Sequence, residues 1–266
     1  MQSPDECIKK ISPTEPWYRN SVYLLPLLFM AVNLPLLWLN SMPVDDVAAR
    51  YAPMAEAAAA GNWRWAFHPR FGMFFPLLSG SIVKLTGANG FRGCQIAALL
   101  LFTLSSYPLY GLAIKLFNRA IAIKTMLLCL FCSHLLRFSM EGLRDSGKML
   151  GFALAVYGLI CVYQERDRCL GYVYTALGSV LLTLIRGDGA LIAMMLLLLM
   201  LVLDWRGHNW QIRRSAAAIL LFFILLLPQL LYICRQTGYP VPELRHAQIL
   251  KKLQIPALCQ PELELP

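Results

Sequence analysis

Long apolar runs alternate with short polar breaks along most of the chain, and the runs are continuous, as in "LIAMMLLLLMLVL". A helix needs about 17 to 25 mostly apolar residues to cross a hydrocarbon layer roughly 30 Å thick. Segments of that kind fall at 21–39, 95–115, 121–139, 148–164, 170–186, 188–204 and 215–234. A membrane β-barrel would instead show segments of about ten residues with strict alternation, which these runs lack. The pattern therefore predicts an all-α polytopic membrane protein with about seven transmembrane helices.

The longest break, 40–94, is not a plain linker. Its "AARYAPMAEAAAAGNW" is Ala-rich and helix-prone up to the helix-stopping Gly61. A second stretch, "FGMFFPLLSGSIVKLTG", is amphiphilic but interrupted by Gly72, Pro76 and Gly80. Both fit interfacial amphipathic helices, with Trp63, Trp65, Phe67 and Phe71 at headgroup depth. The expected organisation is a cytoplasmic tail at 1–20, a membrane domain at 21–234 containing this extracytoplasmic loop, and a short extracytoplasmic tail at 235–266.

Composition agrees with the pattern, since 58% apolar against 15% charged residues is more than one water-soluble core of this size can hide. Charge then orients the chain. The first 20 residues carry Asp5, Glu6, Lys9, Lys10, Glu15 and Arg19, and "LNSMPVDD" lacks a small-residue cleavage site, so the first run reads as a retained signal anchor. Lys115, Arg119, Lys124, Arg166, Arg168, Arg206, Arg213 and Arg214 lie in loops on the tail's side. Only Arg137, Arg144, Lys148 and Arg186 lie in short loops opposite. The positive-inside rule places the N-terminus in the cytoplasm, and the expected location is a bacterial cytoplasmic (inner) membrane.

The net charge of +9 is spread over loops without a dense basic run, which argues against a nucleic-acid partner and fits contact with anionic membrane lipids. Cys129 and Cys132 have C-x-x-C spacing inside an apolar run and read as packing residues. Cys234 and Cys259 fall on the same outer side, which leaves a disulfide between them open. His68, His134, His208 and His246 match no zinc spacing. No cofactor is indicated, and one carboxylate pair does not define a divalent-metal site.

The candidate chemistry sits at the edges of the apolar runs. Asp45 and Asp46 directly follow the first run. They can cap the Ala-rich helix behind them, or one of them, Asp46 being favoured, can serve as a general base at the membrane edge. Arg50, Arg70, Arg144 and Arg186 could hold a phosphate if their loops converge. In "LIRGDGALI", Arg186 and Asp188 are either a local ion pair or part of a site. The charge-rich stretch at 137–148 is either a solvated turn or a contributor. His68 reads as an interfacial aromatic or an acid–base group, and Tyr51 as a packing residue or a sugar contact.

The ordered series in the long loop resembles the first extracytoplasmic loop of GT-C superfamily glycosyltransferases, which include aminoarabinose transferases and protein O-mannosyltransferases (glycosyltransferase family 39-like). The matching features are Asp45-Asp46, Tyr51-Ala52, the Ala-rich helix, Gly61-Asn62-Trp63, Pro76, Gly87 and Arg92. "LIRGDGALI" is similar to that family's basic-Gly turn between two spans, and "GLRDSGKML" to the polar start of its fourth span. Where the family often has Lys-Pro-Pro, this chain reads Phe74-Phe75-Pro76. The resemblance covers roughly residues 20 to 205 and implies a short GT-C form. It implies transfer of a sugar from a polyprenyl-phosphate donor to a hydroxyl acceptor on a glycan, lipid or protein. A transporter or flippase of lipid-linked saccharide, and a subunit working with a partner protein, are the alternatives.

Overall fold

A computed structural model describes residues 21–39, 43–164, 169–205, 209–259 and 261. The charges expected in the 1–20 tail, together with Arg166, Arg168, Arg206 and His208, lie outside the described residues. The described chain is all-helical, without strands. In chain order the helices are α1 (Leu25–Leu36), α2 (Ala52–Ala59), α3 (Trp63–Ala66), α4 (Phe74–Thr86), α5 (Gly90–Leu116) and α6 (Arg119–Leu130). They continue with α7 (Ser133–Met140), α8 (Asp145–Gln164), α9 (Cys169–Ile185), α10 (Gly189–Trp205), α11 (Asn209–Thr237) and α12 (Leu244–Lys252). Single 3₁₀ turns flank α1, and a π-helical turn at Val47–Tyr51 leads into α2.

Among the described residues, four stretches are long and apolar enough to cross a membrane: Val22–Leu39, Gly90–Leu116, Asp145–Gln164 and Ile212–Thr237. The run expected at 121–139 is broken into α6 and α7 by a 47° bend, and makes a fifth crossing if the pair is one span. The runs expected at 170–186 and 188–204 fold as α9 and α10, apolar helices of 17 residues each. At 1.5 Å per residue each reaches about 25 Å. The expected count of seven thus resolves into four or five full-length segments plus two short ones.

Helices α8 and α9 form the tightest pair, and small residues are the reason. Gly151 and Gly158 of α8 face Gly178 and Gly171 of α9 in antiparallel order. A Cβ on Gly151 would lie 2.8 Å from the Leu182 amide nitrogen, and one on Gly171 would lie 2.9 Å from that of Val162. Backbone-to-backbone approach of this kind supplies packing where lipid and protein are equally apolar. Helix α5 packs on the other side of α8, and α11 and α10 pack on α9.

The 43–94 segment is folded against one end of this bundle. Helix α2 stops at Gly61, which takes φ +74°. Helix α4 stops at Gly87 in the left-handed region, and the Asn89 side chain caps α5 by accepting from the Arg92 N–H at 2.9 Å. The Gly90 N–H donates to Glu56 Oε1 at 2.8 Å, tying α5 to α2. The Arg92 guanidinium donates to Leu37 O and to Gln95 Oε1, fixing the end of the first run to α5. A core of Val47, Tyr51, Ala55, Phe75, Phe91 and Ala98 joins these pieces.

The segment after α11, expected as a short tail, docks on the same end. The Tyr232 hydroxyl donates to Phe67 O at 2.7 Å, and Gln229 Nε2 donates to Pro242 O at 2.8 Å. The Leu244 N–H donates to Pro69 O at 2.8 Å. The first loop and the C-terminal arm are therefore one structural unit over the ends of α8 to α11.

Candidate functional site

This end of the bundle encloses a cavity of ≈ 120 Å³, walled by residues from four separate segments. The first loop brings Asp46, Arg50, Tyr51, Arg70 and Phe71; the start of α8 brings Leu143, Arg144 and Asp145; the α9–α10 turn brings Arg186; the C-terminal arm brings Glu243 and Arg245. Six residues expected from the sequence, Asp46, Arg50, Tyr51, Arg70, Arg144 and Arg186, thus meet in one place. Asp45, His68 and Asp188 lie outside the wall.

The two carboxylates after the first run have different surroundings. Asp46 makes no capping hydrogen bond to the helix it precedes. Its Oδ1 instead accepts from Arg50 Nη1 at 2.7 Å, an i,i+4 pair with both partners well exposed. Such a pair holds the geometry loosely and adds little stability, so either partner can be drawn to a ligand at small cost.

Arg144 is the fixed point of the cavity. It is only 9% exposed, and its Nη1 donates to Ile185 O at 3.2 Å. Its guanidinium carbon lies 5.3 Å from the Tyr51 ring centre and 5.5 Å from that of Phe71. The two rings meet edge to face at 5.6 Å, and Arg50 lies 5.6 Å above Phe71 on its own account. Cation–π contacts of this kind orient a guanidinium without neutralising it. Tyr51 is 4% exposed and packs against Phe75 as well. Burial pushes its phenol up from the ordinary value, with Arg144 opposing, so it remains a neutral hydrogen-bond donor near pH 7.

Arg186 and Asp188 do form the local pair, Nε to Oδ2 at 3.1 Å, but the pair is part of a network. Arg186 Nη1 also reaches Asp145 Oδ1 at 3.4 Å, and Lys148 Nζ reaches Asp188 Oδ2 at 3.3 Å. These contacts clip the α9–α10 turn to the first turn of α8, which presents Arg144 to the cavity. His68 packs on Phe71 with ring centres 5.5 Å apart, and its Nδ1 accepts from the Arg70 N–H at 3.1 Å. Burial, reinforced by Arg70 and Arg50, lowers its pKa below the ordinary value. The imidazole is therefore neutral near pH 7 and supports the loop from behind the wall.

Asp145, Glu243 and Arg245 complete the wall without having been singled out in the sequence. Asp145 opens α8 beside Arg144 and was visible only as one charge of a charge-rich turn. The signal for the other two was the short amphipathic run "LRHAQILKK" after the Pro-bracketed "YPVPE", which marks a folded arm.

Five arginines against three carboxylates leave the wall with an excess of positive charge. Guanidinium groups stay protonated at any accessible pH, so the excess is compensated by solvent, counterions or an anionic ligand. Planar guanidinium donors match phosphate oxygens well. Among the described residues no three His, Cys, Asp or Glu side chains converge as metal ligands would. Comparison with protein-family models, with curated proteins and with solved structures finds no match for this chain.

Proposed function

We propose that the protein is an integral membrane glycosyltransferase of GT-C type that moves a sugar from a polyprenyl-phosphate donor to a hydroxyl acceptor at the outer face of a bacterial cytoplasmic membrane. In this reading the chain crosses the membrane seven times, with α6 and α7 as one bent crossing and α9 and α10 as short ones, and its N-terminus is cytoplasmic. The observation that carries the proposal is the convergence of Asp46 with five arginines in one cavity at the helix ends, beside a loop rich in exposed tryptophan. A donor whose phosphate is tethered at headgroup depth meets both groups there.

The chemistry follows from the side chains present. Asp46 takes the proton of the acceptor hydroxyl as its oxygen bonds to the anomeric carbon. The bond from that carbon to the phosphate oxygen breaks, and the lipid phosphate leaves with one more negative charge. Arg144 is pre-set to stabilise that charge, Arg186 adds the donor atoms that its pairs with Asp145 and Asp188 leave over, and Arg50, released from Asp46, joins them. Releasing Arg50 to the phosphate simultaneously frees the Asp46 carboxylate to act as base.

The test is transfer of labelled sugar from a panel of polyprenyl-phosphate sugars in membranes, run beside a measure of folded protein. Asp46→Asn is expected to lose about 10²- to 10⁴-fold in rate with folded protein unchanged, and Asp45→Asn, outside the cavity, to keep its rate. Full transfer by Asp46→Asn would remove the base from the scheme. Absence of transfer by the unmodified chain with every donor would favour a flippase, or a subunit that needs a partner protein.

A further inference from the structure

Glu243 is 5% exposed, yet its carboxylate makes no hydrogen bond or ion pair among the described residues while facing a cavity lined by five arginines. A buried carboxylate is costly unless something satisfies it. The usual local explanation fails here. Glu243 occupies the position before α12, where an acidic side chain could cap the helix, but it makes no capping hydrogen bond. Its backbone is pinned on both sides, through Gln229 to Pro242 O and through the Leu244 N–H to Pro69 O. The opposing wall is shaped to admit it: at Gly187, in the α9–α10 turn, an added Cβ would lie 2.5 Å from Glu243 Oε2. The side chain is thus held in place by its backbone and by the absence of a side chain opposite, with its acceptor atoms free.

The carboxylate opens onto the cavity, so a ligand that displaces the solvent there while contacting only the arginines would leave it unsatisfied. One carrying a phosphate and, a few ångströms away, a hydroxyl donor satisfies both. Resting on the glycosyltransferase reading above, we propose that Glu243 is the specificity-determining carboxylate of the cavity, accepting hydrogen bonds from hydroxyl groups of the sugar in a lipid-linked glycosyl phosphate. The arginines hold what every polyprenyl phosphate shares, and Glu243 reads whether a sugar is attached.

The test is binding of polyprenyl phosphate, with and without an attached hexose, to the full chain in lipid nanodiscs. The unmodified protein binds the glycosylated probe about ten- to a hundredfold more tightly, as expected for hydrogen bonds to a charged acceptor. Glu243→Gln abolishes that preference and binds the bare lipid phosphate at least as tightly, because a negative charge has left the wall, whereas Arg144→Gln weakens both probes. The thiols of Cys234 and Cys259 lie 3.6 Å apart, so their cross-linking by a mild copper oxidant reports whether the arm stays docked. It persists in Glu243→Gln. A preference that survives Glu243→Gln, an unmodified protein without preference, or cross-linking lost in the variant would each overturn the inference while leaving the arginine site standing. An unmodified protein that binds neither probe would overturn both.

Discussion

The two ends of the helix bundle both bury acidic side chains, and they treat them in opposite ways. At the end formed by Cys169, Trp205 and the start of α11, Asp204 is 2% exposed and fully engaged. Its Oδ1 accepts from the Tyr172 hydroxyl at 3.1 Å and its Oδ2 accepts from the Ser215 hydroxyl. The cavity beside it, ≈ 180 Å³, is walled mostly by apolar groups of Tyr172, Val173, Ala217, Ala218 and Leu221. At the loop end Glu243 is also buried, but its carboxylate has no partner among the described residues, and the cavity it faces is charged. The difference teaches that burial alone does not mark a site. Asp204 joins α9, α10 and α11 by satisfying two donors, so it belongs to the architecture; the Glu243 carboxylate has no partner among the described residues and Arg144 spends one donor on Ile185 O, so in the proposed reading both are open to a ligand.

The sharpest attempt to break this contrast is Arg144→Gln. Loss of a pre-set donor to the departing phosphate is expected to lower transfer about 10²- to 10³-fold. The amount of folded protein should fall little, because the lost contacts are one backbone hydrogen bond and two ring faces. A variant that unfolds in proportion to its lost rate would make Arg144 architectural, like Asp204. The mirror experiment is Asp204→Ala, which strips the partners from two buried hydroxyls at about 1–3 kcal/mol each. Its melting temperature should drop while transfer per folded molecule stays within about twofold; selective loss of rate would move the functional end. The smallest effect expected concerns His68. Its folded pKa lies below the ordinary value near 6.5, so the unfolded chain binds the proton more readily. The associated stability is fully present above pH 6.5 and is lost as pH falls through the lowered folded value. Melting temperature followed from pH 8 to 5 should show this loss, and His68→Phe should flatten it.

Much of the cavity was legible because its residues lie at the borders of apolar runs. Arg144 and Arg186 stand within a turn or so of such a border and Asp46 and Arg50 within about three turns, where a charge must be placed at the membrane edge or beyond it. Asp188 shares that property and His68 lies inside the long loop, yet both are consumed by neighbours, Asp188 by Lys148 and Arg186, His68 by Phe71 and the Arg70 amide. Sequence spacing does not tell a consumed charge from a spare one. Glu243 and Arg245 are not marked in the sequence because the arm that carries them is polar and short, and tertiary hydrogen bonds from Gln229 to Pro242 O and from the Leu244 N–H to Pro69 O fold it back. The fold shows the same division. The apolar helices were expected within a few residues, yet the 47° break between α6 and α7 lies in "LCLFCSH", where neither Gly nor Pro announces it.

The central claim is that the lipid-linked anion binds at the arginine end and not at the apolar one. A polyprenyl phosphate bearing a diazirine next to its phosphate, activated by light in membranes and followed by peptide mapping, tests this directly. The account predicts label on peptides containing residues 46–71, 143–145, 186 and 243–245, reduced in Arg144→Gln. Label confined to peptides containing Cys169, Tyr172, Arg214 and Leu221 would contradict it.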